Sequence, residues 1–100
     1  MKLLTKATAK KIPALYEQDG KGLEATAYVK FFTPWSDWTW YAFEFDPDSN
    51  LFFGLVKGFE HELGYFSLLE LEEISGPFGQ KIERDLHFEP TQLKNIPNLL

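Results

Sequence analysis

The chain has no cysteine among its 100 residues, which excludes disulfide bonds, a thiolate nucleophile and a zinc site with cysteine ligands. No stretch approaches the ~20 apolar residues of a membrane-spanning helix. The basic start MKLLTKATAKK is not followed by an apolar segment of signal-peptide length. We therefore expect a cytoplasmic protein that does not bind a membrane.

Catalytic signatures are scarce as well. The chain has four serines, none of them in a nucleophile elbow, two histidines and no phosphate-binding glycine loop. The motifs predict no cofactor and no metal site. A pair of carboxylates leaves no local motif, so a small carboxylate-dependent or metal-dependent hydrolase stays open as an alternative function.

The residues that are present describe one globular domain over residues 1–100. Hydrophobic residues make up 44% of the chain, charged residues 25% and aromatic residues 17%, and ten of the aromatic residues are phenylalanines. Large rings fill a small core with few residues, so the domain can be stable without disulfides or metals.

The net charge of −5 is unevenly distributed along the chain. Residues 1–30 carry six lysines against three acids, whereas residues 31–100 carry four basic residues against twelve acids. Residues 60–73 contain five glutamates and no lysine or arginine. An acidic surface disfavours nucleic acid, and it suits a basic partner, a cation or solubility alone.

Hydrophobic periodicity predicts the secondary structure. The predicted strands are residues 24–32, 38–45, 51–59, 62–66 and 81–88. The predicted helices are residues 5–11, 68–74 and 92–95, with Thr5 and Ser67 as N-caps and a further turn that begins at Pro13. This order predicts an α+β fold: an antiparallel meander sheet of three to five strands with an N-terminal helix and short C-terminal helices.

The second and third predicted strands form a hairpin around the turn at residues 46–50. Its predicted register pairs Glu44 with Phe52, Ala42 with Gly54, Trp40 with Val56 and Trp38 with Gly58. On this register Glu44 shares one face of the sheet with Trp38 and Trp40, and the indole of Trp38 covers the bare backbone of Gly58.

Five segments of the chain carry a family resemblance. They are the opening LLTKATAKKIPALYEQ, the pattern VKFF-x-P at residues 29–34, WTWYAFEFD at 38–46, FGLVKGFEHELGYFSLLEL at 53–71 and IERDLHFEP at 82–90. Together they resemble a bacterial family of small proteins catalogued as domain of unknown function 2958. The resemblance implies no activity, cofactor, substrate or functional residue. Members of that family often occur near plasmid or phage material, which implies a link to mobile genetic elements.

A candidate cleft or ion-pair cluster consists of Glu44, His61, Glu62 and Arg84. Arg84 is the only arginine of the chain, and its neighbours in the strand alternation are apolar. Its guanidinium either pairs internally with Glu44, Glu62 or Glu70, the interpretation we favour, or grips an anion in a cleft. The hydrolase alternative requires the four clustered side chains near one pocket.

A candidate interaction surface consists of Trp35, Trp38, Trp40 and Glu60. Tryptophan is a favoured anchor of protein interfaces. Two alternatives stay open: a small second core beneath these rings, and a platform for single-stranded nucleic acid, although few lysines accompany the rings. We predict a non-enzymatic interaction module that presents an acidic and aromatic surface to a protein partner.

Overall fold

The computed structural model describes residues 2–97. Its helices are α1 (Lys6–Ala9) and α2 (Leu68–Glu73), with short 3-10 helices at Gly22–Glu24 and Leu93–Asn95. Its strands are β1 (Thr26–Ala27), β2 (Val29–Phe32), β3 (Thr39–Asp46), β4 (Leu51–Lys57), β5 (His61–Ser67), β6 (Glu83–Arg84) and β7 (Thr91–Gln92). In this part of the chain, no helix is long and apolar enough to cross a membrane.

The larger sheet is antiparallel and has the strand order β5-β4-β3-β2-β6. Strands β2 to β5 form a meander of consecutive neighbours, and β6 returns to pair with the outer side of β2. Strands β1 and β7 pair in a separate two-stranded sheet. The predicted α+β fold with an antiparallel meander is thus confirmed, and most of its regular structure is β.

Both predicted helix caps are present. The Thr5 side chain accepts a hydrogen bond from the Thr8 amide, and the Ser67 side chain accepts one from the Glu70 amide. These bonds satisfy amides that a helix leaves unpaired in its first turn. A local signal in the sequence therefore sets where each helix begins.

The N-terminal helix ends earlier than predicted. The amides of Lys11 and Ile12 bond to carbonyls three residues back, which tightens the chain before Pro13. The turn expected at Pro13 does not continue as a helix. The Pro13 carbonyl instead accepts a hydrogen bond from the Phe45 amide at 2.8 Å, which ties this segment to β3.

Three predicted strands are shorter in the structure, and the strand predicted at residues 51–59 ends at Lys57 as β4. The strand predicted at residues 24–32 divides at Tyr28, because β1 pairs with β7 while β2 pairs with β3. The strand predicted at residues 81–88 is reduced to β6. After β6 the Asp85 carboxylate accepts a hydrogen bond from the His87 amide, which turns the chain away from the sheet.

A β-bulge interrupts the β3–β4 hairpin between Ala42 and Glu44. The predicted pairs Ala42–Gly54 and Trp40–Val56 are confirmed, but Glu44 pairs with Phe53. The bulge gives β3 one extra residue, so every later side chain of β3 lies on the opposite face of the sheet from the one predicted. The prediction that Glu44 shares a face with the tryptophans was wrong for this reason.

Two hydrophobic cores lie on the two faces of the larger sheet. The first core contains Leu3, Ile12, Val29, Phe31, Trp40, Ala42, Phe45, Phe52, Phe66, Leu71 and Ile82. The second core contains Ala27, Tyr41, Phe43, Leu55, Leu93 and Ile96. The bulge allows Phe45 to join the first core although Phe43 belongs to the second.

Gly54 and Gly64 are paired across β4 and β5, yet they tolerate a side chain differently. A Cβ on Gly54 would overlap the Tyr41 carbonyl oxygen, whereas a Cβ on Gly64 would meet no atom within 4 Å. We expect Gly54→Ala to lower the free energy of unfolding by about 1–3 kcal/mol or more. Gly64→Ala, the matched control, should change it by less than about 0.5 kcal/mol. Urea unfolding followed by circular dichroism measures both, and equal losses would contradict the register.

Candidate functional site

Glu44 is a structural anchor in β3. Only 3% of its surface is exposed. Its Oε1 accepts a hydrogen bond from the Tyr16 amide at 2.9 Å, and its Oε2 accepts one from the Gln18 amide at 2.8 Å. Hydrogen bonds to a carboxylate are stronger than bonds between neutral groups. Both carboxylate oxygens are thus engaged in fastening the loop that follows Pro13.

Gln18 continues this network with its buried side chain. Its Oε1 accepts a hydrogen bond from the Thr26 amide at 2.6 Å, and its Nε2 donates to the Thr26 carbonyl at 2.8 Å. The same Nε2 donates to the Phe43 carbonyl, also at 2.8 Å. Gln18 therefore joins the loop both to β1 and to the bulged residue of β3.

The same loop holds one residue in an uncommon backbone conformation. Tyr16 has a φ of 73°, in the left-handed region that favours glycine. Such a conformation costs a non-glycine residue on the order of 1–3 kcal/mol unless its surroundings hold it there. The bond from the Tyr16 amide to Glu44 supplies that restraint.

Arg84 does not form the internal ion pair that we favoured from the sequence. Its Nη1 donates a hydrogen bond to the Thr8 hydroxyl at 2.6 Å, and no carboxylate of residues 2–97 forms an ion pair with it. Glu44 is occupied by backbone amides, while Glu62 and Glu70 belong to β5 and α2. The prediction was wrong because the sheet order puts these partners elsewhere.

The structure does not bring the four predicted cluster residues together. His61 and Glu62 are exposed on β5 at one edge of the sheet, and Arg84 lies on β6 at the other edge. Four inter-strand spacings separate these edges, about 19 Å at about 4.8 Å per strand. Glu44 is buried on the central strand between them. Groups so far apart cannot act together as acid and base on one bond.

Metal-binding geometry is not formed either. Within the described range 2–97, no group of three or more histidine, aspartate or glutamate side chains lies close enough to hold a metal ion.

The tryptophans of the predicted interaction surface differ in their surroundings. Trp40 is buried in the first core, whereas Trp35 and Trp38 are partly buried against it. The Trp38 ring covers Gly58 closely, as the sequence predicted, and a Cβ on Gly76 would come within 2.6 Å of the Trp35 ring. Each of these two indoles therefore occupies the space that a side chain at the glycine would need.

A shallow hollow lies at the end of the β4–β5 hairpin. Its volume is about 290 Å³, and it is lined by Trp38, Val56, Gly58, Phe59, Glu60 and Glu62. Phe59 is 94% exposed, and its ring meets the Trp38 ring edge-on with centroids 5.4 Å apart. Glu60 and Glu62 are exposed beside these rings. We call Trp38, Phe59, Glu60 and Glu62 the hairpin patch.

On the other face of the sheet, Tyr41 has two charged neighbours, Lys30 and Asp85. The Lys30 Nζ lies 5.8 Å from the centroid of the Tyr41 ring and 3.9 Å from the Asp85 Oδ2. Burial and, to a smaller extent, the negative charge of Asp85 raise the pKa of Tyr41 above its ordinary value of 10.0. The tyrosine therefore keeps its proton more strongly in the folded protein than in the unfolded chain.

The family model described as protein of unknown function (DUF2958) matches residues 3–95. The chain belongs to this family. No curated protein and no solved structure matches it. The match spans β1 to β7 and both helices, so the whole described fold is the family's unit.

Sequence reasoning missed three residues that shape these sites. The alternation pattern places Phe59 at the end of a predicted strand, although Gly58, a turn signal, precedes it and indicates an exposed ring. Gln18 lies in a polar loop segment, where nothing distinguishes a buried glutamine from an exposed one. Thr8 was counted only as part of α1, and its contact with Arg84 joins residues 76 positions apart.

Loss of the Glu44 carboxylate should destabilise the fold. Glu44→Ala leaves the buried amide of Gln18 and the partly buried amide of Tyr16 without acceptors, so we expect the free energy of unfolding to fall by roughly 2–5 kcal/mol. Glu44→Gln should lose less, because its amide oxygen still accepts one of the two bonds. Urea unfolding measures both, and NMR hydrogen exchange should show faster exchange of the Tyr16 and Gln18 amides. Glu72→Gln, on the exposed side of α2, is the control and should change little. A wild-type stability for Glu44→Ala would refute this role.

Stability should depend on the ionisation of Tyr41 at alkaline pH. Because folding raises its pKa, the group contributes stability that is fully present below its unfolded pKa of about 10 and is lost as pH rises through the folded pKa. Urea unfolding by circular dichroism between about pH 9 and pH 11 should show this decline. Tyr41→Phe should make the decline shallower. If Tyr41→Phe loses stability with pH as steeply as the wild type, other groups cause the decline.

Proposed function

We propose that the protein is a non-enzymatic interaction module and that the hairpin patch binds a basic segment of a partner protein. The observation that carries the proposal is Phe59, a large ring that is 94% exposed at the tip of a hairpin. Removal of a phenylalanine ring from water stabilises a complex. In the free protein the ring of Phe59 is still in water, so a partner that covers it gains this stabilisation. An exposed ring supported from below by a second aromatic ring is a preformed anchor for a partner.

Trp38, the ring that Phe59 contacts, is held in place by its own packing. Trp38 packs against the first core and lies against Gly58, and its centroid is 5.9 Å from that of buried Trp40. A side chain that is already ordered loses little conformational entropy on binding. The patch therefore offers apolar area at a low ordering cost.

The charge of the hairpin patch supports a basic partner. Glu60 and Glu62 flank the rings, and residues 60–73 contain five glutamates without a lysine or arginine. An arginine guanidinium can stack on an aromatic face and pair with a carboxylate at the same time. A segment that carries arginine next to an apolar residue fits this combination of rings and carboxylates.

The test is selection of peptides from a random display library on the immobilised protein, followed by affinity measurements on single peptides. We expect the enriched peptides to carry arginine or lysine beside an apolar residue. Their affinity should fall about tenfold or more for Phe59→Ala and for the double variant Glu60→Gln, Glu62→Gln. It should also weaken as the salt concentration rises.

Phe78→Ala is the matched control, because Phe78 is 90% exposed but does not line the hairpin patch. It should leave peptide affinity unchanged. Enrichment of acidic or neutral peptides, or equal binding by Phe59→Ala and the wild type, would refute the proposal. Circular dichroism confirms that each variant is folded before its affinity is interpreted.

A further inference from the structure

A cavity that is separate from the hairpin patch lies beside the sheet edge formed by β6. This cavity of about 360 Å³ opens between α1, the start of β2 and the segment after β6. Its polar wall contains Thr8, Lys11, Arg84 and Asp85. Its volume lies within the range of small-molecule sites, roughly 300–1,000 Å³.

The guanidinium of Arg84 is only partly satisfied in this cavity. Nη1 donates to the Thr8 hydroxyl at 2.6 Å, but that hydroxyl is neutral and does not compensate the charge. Nε is enclosed and has no hydrogen-bond partner among the described residues. A buried donor without an acceptor is costly, so the arginine is not explained as a finished structural contact.

The neighbouring carboxylate is already engaged. The Asp85 Oδ2 lies 3.9 Å from the Lys30 Nζ, and its Oδ1 accepts a hydrogen bond from the His87 amide at 2.9 Å. Among residues 2–97 no other carboxylate lines the cavity. Lys11 adds a second positive charge to the wall. The cavity is therefore cationic in a chain whose net charge is −5.

The remaining wall is apolar and aromatic. It is formed by Tyr28, Val29, Leu86, Phe88 and Pro90. Such a wall accommodates the body of an organic ligand, while the fork of an arginine binds carboxylate and phosphate oxygens. The two halves of the cavity therefore select different parts of one molecule.

From this arrangement we infer that the cavity binds a small organic anion, with a carboxylate or phosphate at Arg84 and Lys11 and an apolar or aromatic body against Tyr28 and Phe88. The anion meets the terminal nitrogens of Arg84 and the ammonium of Lys11. No bond is made or broken, so the inference concerns binding alone.

The experiment titrates four probes into the ¹⁵N-labelled protein at low salt: benzoate, phenyl phosphate, inorganic phosphate and neutral benzyl alcohol. We expect benzoate or phenyl phosphate to shift the Arg84 Nε–H resonance and to bind about tenfold or more tightly than inorganic phosphate and benzyl alcohol. Comparison of the two aromatic anions distinguishes a carboxylate ligand from a phosphate ligand.

Three variants complete the test. Arg84→Gln and Lys11→Gln should each weaken binding of the better aromatic anion, by about tenfold and about threefold respectively. Lys11 is exposed, so its loss tests the site even if Arg84→Gln is destabilised. Lys21→Gln is the control: Lys21 is also exposed and does not line the cavity. The inference is overturned if neither aromatic anion binds, if benzyl alcohol binds equally well, or if Lys21→Gln weakens binding as much as Lys11→Gln.

Discussion

The architecture depends on one buried carboxylate and the bulge that positions it. The extra residue in β3 lets Glu44 accept the amides of Tyr16 and Gln18 while Phe45 stays in the first core. Gln18 then forms hydrogen bonds with Thr26 and Phe43, so a single loop connects β1 to β3. Two oriented N–H groups replace the water that the carboxylate loses on burial, and this offsets the cost of burying its charge.

The sheet separates two chemically opposite surfaces. Its β5 edge carries carboxylates and an exposed aromatic ring, and its β6 edge carries the only arginine of the chain and a cationic cavity. The uneven charge of the sequence is thus also uneven in space, because Lys11, which follows α1, lines the cavity beside β6. The hairpin patch and the cationic cavity lie at different edges of the sheet, and three strands lie between them.

Local patterns in the sequence were enough to predict the fold class, the helix caps and the hairpin register near the tryptophans. The register was predictable there because the bare backbone of Gly58 lies where the ring of Trp38 can cover it. The bulge was not predictable, since WTWYAFEFD alternates equally well with or without an extra residue. The contact of Arg84 with Thr8 was not predictable either, because it joins two segments 76 residues apart whose proximity follows only from the strand order.

Strand β5 pairs with β4 on one side, and in residues 2–97 no other strand covers its second side. Leu63 and Tyr65 are half exposed on this strand. An uncovered edge with apolar side chains invites a second copy of the chain to add a strand, the first step of aggregation. Glu60, Glu62 and the glutamates of α2 oppose that step, since two such edges would bring like charges together. The negative charge at this edge therefore disfavours the addition of a strand from a second copy.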